Sequence, residues 1–452
     1  MFNRDSTNLN KIKNLTLKPS RFNVISKNED SIKLYNSFTG RIVKFNKDYS
    51  EQLLDTLRNK NIHYKDTNSF IDFLADEKFL INSNINEFKK ADAQKISSLA
   101  NNRTLTLIIM PNEDCNFRCV YCYETFEKKE MNDDTKEGII NYLRKNIKNY
   151  DTLLVSWFGG EPLISFNVIR ELSIKMMEIC EEYKVTYLAG ITTNGYYLTL
   201  DVFNELLSYN VTGYQVTLDG TQETHDKFRV GKNGEKTFNR IINNLIDIKE
   251  KVKEQNFNII LRSNISKETF PVMKEYIDFI SDHFIDDSRF SLHFVSVLNL
   301  KGEQNANIHL CDTRELFPFY KYAKEKGFNF NFYKQYLKPG GSECYASNPN
   351  SFVIGSDGMI YKCTVAFNNP LNHVGNLDKE GNMKLYEDRL SLWISGGVNE
   401  DSTCAKCYFR PACQGNACPL QRIESAQTPC PPIKKNIKRY LDLVEEDLVY
   451  EG

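Results

Sequence analysis

Cys115, Cys119 and Cys122 stand in the run CNFRCVYC, three thiols within eight residues. They directly follow the apolar, strand-like stretch Leu105–Met110. Three thiolates hold three corners of a four-iron, four-sulfur cube. The fourth iron then has no protein ligand and is free to bind and reduce a small molecule, a vacancy that four-cysteine electron-transfer clusters lack. Tyr121, one residue before the last thiol, is placed to flank an adenine. Taken alone, the triplet also reads as a zinc knuckle or an inert loop. A second group lies late in the chain: Cys344, Cys363, Cys404, Cys407, Cys413, Cys418 and Cys430. The run CAKCYFRPACQGNAC packs four of them into fifteen residues. A zinc ribbon needs only four of these seven. Cys344 and Cys363 bracket a hairpin signal, Asp357-Gly358, flanked by Phe352-Val353-Ile354 and Met359-Ile360-Tyr361.

The elements that must position these thiols alternate in type. Strand signals fall at Leu105–Met110, Leu153–Phe158, Leu188–Thr192, Tyr214–Leu218, Asn258–Ser263 and Phe290–Val297. Helical patterns lie between them, as at Asn167–Tyr183 and Phe270–His283. Six β/α units predict an α/β fold with a parallel sheet and helices outside. The first triplet follows the first strand. Gly159-Gly160-Glu161-Pro162 follows the second, Thr193-Asn194-Gly195 the third and Asp219-Gly220 the fourth. All four therefore fall at C-terminal strand ends, where barrel enzymes collect functional residues. Read singly, the glycine pair is a turn signal, and Thr193-Asn194 is a helix N-cap and a left-handed turn.

The remaining stretches are less specific. Phe22–Ser26, Ser31–Tyr35 and Arg41–Phe45 read as short strands, followed by helical patterns at Asp48–Asn59 and Ser69–Glu77 and the apolar Phe79-Leu80-Ile81. The segment 1–85 is thus a small winged-helix-like module or a plain cap, 86–102 a polar linker, 103–325 the barrel and 326–452 a cysteine-rich domain. With 452 residues the chain buries two or three cores. Its net charge of −1 and the lack of a basic stripe argue against nucleic acid as a partner. No run of 18 apolar residues occurs, and MFNRDSTNLNKIKN carries no apolar signal core. The expectation is a cytoplasmic protein without a membrane partner, whose 12 cysteines serve metal or redox chemistry rather than disulfides. Cys180 in an apolar helical pattern and Cys311 in a loop read as structural thiols.

With an aromatic before its last cysteine, the triplet resembles the signature of radical S-adenosylmethionine (SAM) enzymes. The late cysteines resemble the SPASM extension of that family, and the whole chain resembles its peptide maturases of the thioether-forming, ranthipeptide or sactipeptide type. The resemblance implies a partial (β/α)6 TIM barrel carrying three 4Fe–4S clusters, one that binds SAM and two auxiliary. It assigns Cys115, Cys119 and Cys122 to the first. Cys404, Cys407, Cys413 and Cys430 go to a fully ligated outer cluster, and Cys344, Cys363 and Cys418 to an inner one. It places the SAM ammonium against Gly159, Gly160 and Glu161, where the glycines let the backbone approach. Ribose hydroxyls fall to Thr193 and Asn194, further SAM contacts to Thr217, and the carboxylate to Arg229. The N-terminal segment resembles the PqqD-like module that receives a precursor's leader peptide as an added strand.

The sequence departs from the sulfatase-maturing branch of that family at three points. No cysteine stands in Tyr336–Gly340, Thr364 occupies the place of an aspartate base, and the Cys413–Cys418 spacing is one residue longer. The expected function is reductive SAM cleavage, hydrogen abstraction from a ribosomal precursor peptide and formation of intramolecular thioether crosslinks. A flavodoxin or ferredoxin-type protein is the expected reductant. Carbon–carbon crosslinking and formylglycine formation are the alternative reactions. An iron–sulfur electron carrier or peptide-binding scaffold is the non-enzymatic alternative.

Overall fold

The computed structural model describes residues 16–63, 68–298, 308–396, 402–425 and 428–452. The opening run read for a signal core lies outside them. The chain forms two compact units. One gathers Met1–Asn101, Asn331–Cys344 and Gly396–Gly452, and the other Asn102–Phe330 and Tyr345–Ser395.

In the first unit the N-terminal strands are β1 (Thr16–Pro19), β2 (Asn23–Lys27), β3 (Ser31–Asn36), β4 (Arg41–Asn46), β5 (Ile62–His63) and β6 (Leu80–Asn82). β2, β3 and β4 form an antiparallel meander at the three predicted places. Helices Ser50–Arg58 and Ser69–Asp76 follow, the second capped by the Asn68 side chain on the Ile71 amide. Leu34, Val43, Phe45, Leu53, Phe70 and Leu74 close one core, each fully buried aliphatic or aromatic side chain contributing on the order of 1.5–3 kcal/mol. A distant strand, Leu448–Tyr450, joins this sheet parallel to β4 and adds Tyr450 to the same core. The stretch expected as a linker is the helix Glu87–Ala100, started by Asn86, whose side chain accepts from the Phe88 and Lys89 amides. Arg410, from the cysteine-rich run, pairs with Asp92 of this helix.

The second unit is built on β7 (Thr104–Asn112), β8 (Thr152–Gly159), β9 (Thr186–Thr193), β10 (Val211–Thr217), β11 (Asn258–Ile265) and β12 (Phe290–Ser296). They lie side by side in chain order and pair parallel throughout. This is the predicted partial barrel. β7 is buried almost end to end, as a central parallel strand must be. The helix Phe166–Tyr183 buries Val168, Ile169, Leu172, Met176, Ile179 and Cys180, an apolar stripe of helical period, and stops at Lys184 in the left-handed region. No described helix is long and apolar enough to cross a membrane.

The late hairpin is β13 (Ser351–Ile354) and β14 (Met359–Tyr361), continued antiparallel by β15 (His373–Leu377) and β16 (Met383–Leu385). β13 pairs parallel with β7, so the hairpin extends the barrel sheet within the same unit. Its four residues are all buried, which a lone hairpin with one wet face would not allow. The segment 326–452 is accordingly divided between the two units.

Candidate active site

The ends of the parallel strands converge on one cavity of about 270 Å³. Its lining includes Cys115, Cys119 and Cys122 after β7, Gly159 and Gly160 at the end of β8, Thr193 and Asn194 at the end of β9, and Thr217 at the end of β10. Arg229, Arg262, Asn264 and Thr364 complete much of the wall.

The thiol loop is fastened from both sides. The Arg118 and Val120 amides donate to the Val230 and Phe228 carbonyls, and the Lys232 amide to the Asn116 carbonyl. Asp114 accepts from the Cys115 amide and from Arg118, Lys129 and Lys232. Burial opposes its charge, yet those four donors hold its carboxyl well below the usual range. Cys115 and Cys119 are buried. Burial, then the neighbouring Cys119 charge, pushes the Cys122 thiol up to about 12. Burial likewise raises Cys115, followed by Glu161 and the Cys119 thiol. Three thiols crowded in a dry pocket hold their protons unless a cation replaces them, which is what iron does to a coordinating thiol. Among the described residues no group of His, Cys, Asp or Glu is arranged around a single metal ion. A cubane asks for something different, because each thiolate takes a separate iron corner. The donor set therefore fits a three-cysteine cluster.

The glycine pair has a steric cause inside the protein. A Cβ on Gly159 would stand 2.2 Å from the Asn112 carbonyl oxygen, at a φ of +127°. A Cβ on Gly160 would stand 2.4 Å from the Asp114 carbonyl oxygen. The Gly160 and Glu161 amides donate to these same two carbonyls, locking the end of β8 onto the thiol loop. Gly159→Ala is expected to cost roughly 2–6 kcal/mol from backbone strain and overpacking together. The shift in denaturant midpoint measures it.

Glu161 is fully buried and faces its own chain. One oxygen accepts from the Leu163 amide at 3.0 Å and the Thr193 hydroxyl at 2.7 Å, and the other from the Asn194 amide at 2.7 Å. It fixes the end of β9 rather than lining the cavity. Thr193 Oγ1 also accepts from the Gly195 amide. Asn194 Nδ2 donates to Asn116 Oδ1 at 2.8 Å and stands 3.7 Å from Cys115 Sγ. Asn194 thus braces the thiol loop, and both Thr193 and Asn194 line the cavity.

Tyr121 sits in a polar knot that residue spacing did not announce. Its hydroxyl bonds Asp219, accepts from Arg229 Nη1 at 2.6 Å and from Asn264 Nδ2 at 3.2 Å. Asp219 is fully buried, accepts from the Asn264 amide, and lies 3.8 Å from Arg229. Arg229 is 6% exposed, and its Nε is buried without a partner. An unmet guanidinium donor at a cavity wall fits an anionic group such as the SAM carboxylate. Sequence reading singled out Arg229 and Tyr121 separately but not their contact with each other or with Asp219. The signal for Asp219 was its place at the fourth strand end. Gln215 and Arg262 had no signal beyond strand membership, and Asn264 falls one residue past the strand read as Asn258–Ser263. Glu124 also lines the cavity with Oε1 unpartnered. Burial, then the Glu113 charge, pushes its carboxyl up to about 8.

The late cysteines divide between the units. In the first, Cys404, Cys407 and Cys430 all act electrostatically on Cys413, whose thiol burial pushes up to about 12. The Phe409 amide donates to Cys407 Sγ at 3.3 Å and Lys434 Nζ to Cys430 Sγ at 3.0 Å. Cys344 and Cys418 belong to that unit and Cys363 to the other. Cys363 is buried at the end of the hairpin, and its amide donates to Asn372. Thr364 bonds the Tyr345 hydroxyl at 2.7 Å. The Cys311 thiol donates to the Ile265 carbonyl, and Cys180 is buried in its helix, pushed up by burial to about 11.

Comparison with known proteins places this geometry. Residues 109–277 match the model of the Radical SAM superfamily. The chain is 22% identical over 440 residues to the radical SAM cyclopropyl synthase TigE of Paramaledivibacter caminithermalis, covering 87% of each chain. It is 25% identical over 346 residues to the cysteine-type anaerobic sulfatase-maturating enzyme of Clostridium novyi, covering 69% of this chain and 87% of that one. The solved structure of native anSMEcpe with bound AdoMet and Cp18Cys peptide shares the fold. Its TM-score is 0.55 at 19% identity, over 75% of this chain and 96% of that one. The stretch that carries the thiol loop, the glycine pair, Glu161 and Arg229 is therefore a radical SAM domain, on an α/β chain with the partial-barrel fold of that family.

Proposed function

We propose that this protein is a radical SAM peptide maturase that forms thioether crosslinks in a ribosomal precursor peptide. The observation that supports this best is the single cavity that joins the three thiols to Thr364, the residue after Cys363. Chemistry at the first cluster and a substrate held near the late hairpin then share one space. Cys115, Cys119 and Cys122 hold the cluster. Arg229, with its free Nε, and Thr217 take the SAM carboxylate, and the backbone at Gly159 and Gly160 takes the ammonium. Glu161 acts through Thr193 and Asn194, which it keeps in place for the ribose. When bound, the cluster and SAM together supply reductive cleavage of the sulfonium and a 5′-deoxyadenosyl radical. The apolar wall from Phe117, Phe126 and Phe158 keeps water from that space.

Thr364 offers no carboxylate where sulfatase-maturing enzymes carry a base, which favours crosslinking over formylglycine formation. An auxiliary cluster held by late cysteines with an incomplete ligand set would be able to take a substrate thiolate. The balance of the reaction is simple. One C–H hydrogen would leave to the 5′ carbon, the thiol proton to solvent and a C–S bond would form, and the one electron released would be taken up by an auxiliary iron–sulfur group if the late cysteines hold one. Cys404, Cys407, Cys413 and Cys430 hold the outer cluster, and a flavodoxin or ferredoxin-type protein supplies the reducing electron. Small peptides encoded beside the gene, incubated anaerobically with the reconstituted enzyme, are expected to lose two hydrogens per crosslink and one alkylatable thiol in step. Loss of hydrogens with every thiol retained would replace thioether formation by carbon–carbon crosslinking.

A further inference from the structure

Two guanidinium groups line the cavity, and their surroundings differ. Arg229 belongs to the thiol end. It bonds the Tyr121 hydroxyl, lies 3.8 Å from Asp219, and its charge acts on Cys119 and Cys122. Arg262 stands on β11, in register with Thr217 of β10 on one side and His293 of β12 on the other. Its Nε donates to Asn264 Oδ1 at 3.1 Å. That bond fixes the plane of the fork, because Asn264 is itself held. Its amide donates to Asp219 and its Nδ2 to the Tyr121 hydroxyl. The two terminal nitrogens of Arg262 have no partner among the described residues, and unlike Arg229 Nε they are not sealed into the wall.

Among the described residues no carboxylate forms an ion pair with Arg262. Asp219 feels its charge after that of Arg229, but its oxygens are taken by the Tyr121 hydroxyl and the Asn264 amide. Glu124 is the only carboxyl among the described lining residues, and burial and the Glu113 charge govern it rather than Arg262. Burial, then the Arg262 charge, push the His293 imidazole down to about 3, so the neighbour on β12 stays uncharged. An unpaired cation in a half-enclosed, largely apolar space has lost solvation that a bound anion restores. A planar fork with two open donors matches a carboxylate. SAM brings a single carboxylate, and its adenine and ribose are neutral. We propose that Arg262 anchors a second anion subsite, which takes a carboxylate of the peptide substrate while Arg229 takes that of SAM. Gln215, two positions before Thr217 on β10, adds an uncharged amide to the same wall. The identity of the ligand as a peptide rests on the maturase reading, but the existence of the subsite does not. The consequence is selectivity: the peptide carries an Asp or Glu side chain, or its own C-terminal carboxylate, near the residue that loses hydrogen.

The test uses reconstituted, SAM-loaded enzyme without reductant, dialysed to equilibrium against an equimolar set of short alanine peptides. Each contains one cysteine. Four are blocked at both ends and differ at a single position, which is Asp, Asn, Glu or Gln. A fifth has no acidic side chain and a free C-terminal carboxylate. Mass spectrometry reads which peptides the enzyme retains. Carboxylate-bearing peptides are expected to be retained about fivefold or more over the amide peptides. Enrichment of the fifth alone would assign the subsite to a peptide C-terminus, and enrichment of the Asp or Glu peptide to a side chain. Arg262→Gln is expected to abolish the preference while SAM affinity stays within about twofold, and Arg262→Lys, which keeps the charge but not the fork, to retain part of it. Retention of all the peptides without preference by the unaltered protein would overturn the proposal and leave the peptide reading intact; this arm depends on no variant folding. Full preference in Arg262→Gln would also overturn it, as would loss of SAM binding in that variant, which would give Arg262 to SAM. Retention of none of the peptides would overturn the maturase reading and the proposal together.

Discussion

Replacing Cys115, Cys119 and Cys122 together with Ala is expected to abolish SAM cleavage and to remove about a third of the iron from anaerobically reconstituted protein. The loss of cleavage should be complete because all three thiols line one cavity and no other cysteine does so. Cys180 is inside a helix and the Cys311 thiol is engaged with the Ile265 carbonyl, so neither is a substitute. On the proposed reading the remaining iron would be held by the late cysteines, of which Cys404, Cys407, Cys413 and Cys430 gather in a different unit. Iron analysis and chromatography of 5′-deoxyadenosine give the two readouts. Cleavage that persists in the triple variant would mean the reactive cluster sits elsewhere.

Glu161→Ala is expected to be the most damaging single substitution near the site. The carboxylate accepts from three buried donors, the Leu163 and Asn194 amides and the Thr193 hydroxyl. Each unsatisfied buried donor costs about 1–3 kcal/mol, so the total is roughly 3–9 kcal/mol, comparable to the stability of a whole domain. The milder Glu161→Gln keeps the shape and two acceptor lone pairs on one oxygen, but sets an NH2 against donors. It is expected to fold with a lowered melting temperature and to bind SAM weakly, because Asn194 loses the contact that holds it against Cys115. A Gln variant with unchanged SAM affinity would show that the end of β9 holds its shape without this carboxylate.

The comparison of sequence with structure is instructive at particular residues. The six barrel strands were readable because buried parallel strands are apolar runs of limited length between polar turns. Once they were in order, the strand-end rule placed Cys115, Gly159, Thr193 and Asp219 on one face; the cavity contains the first three, while at the fourth strand end Thr217 lines it and Asp219 is buried against Tyr121 and Arg229. What each residue touches was not readable. Glu161 is a plausible ligand for an ammonium by chemistry alone. One of its donors, the Leu163 amide, is local, but the other two come from the end of β9, thirty-two and thirty-three positions away, and nothing in local pattern encodes them. Gly159 and Gly160 were expected to be small for the sake of a ligand. They are small because the Asn112 and Asp114 carbonyls occupy the space a Cβ needs.

Longer-range pairings were hidden for the same reason. Ser351–Ile354 looked like one arm of a hairpin and is also the parallel neighbour of β7. Leu448–Tyr450 is too short to read as a strand alone, yet it completes the sheet begun by β2 to β4. Polar composition made 86–102 read as a linker. The Asn86 cap and the contact between Asp92 and Arg410 make most of it a helix packed in the first unit.

The central claim is that a radical generated at the Cys115–Cys119–Cys122 site takes hydrogen from a peptide. The most direct measurement is deuterium transfer. A candidate precursor peptide deuterated at its non-exchangeable carbons is incubated with reduced, reconstituted enzyme and SAM, and the 5′-deoxyadenosine formed is analysed by mass spectrometry. The account predicts 5′-deoxyadenosine enriched in deuterium, with a peptide product depleted of it, and neither from the triple cysteine variant. Intact SAM, or 5′-deoxyadenosine free of deuterium beside a peptide that has nonetheless been modified, would contradict it.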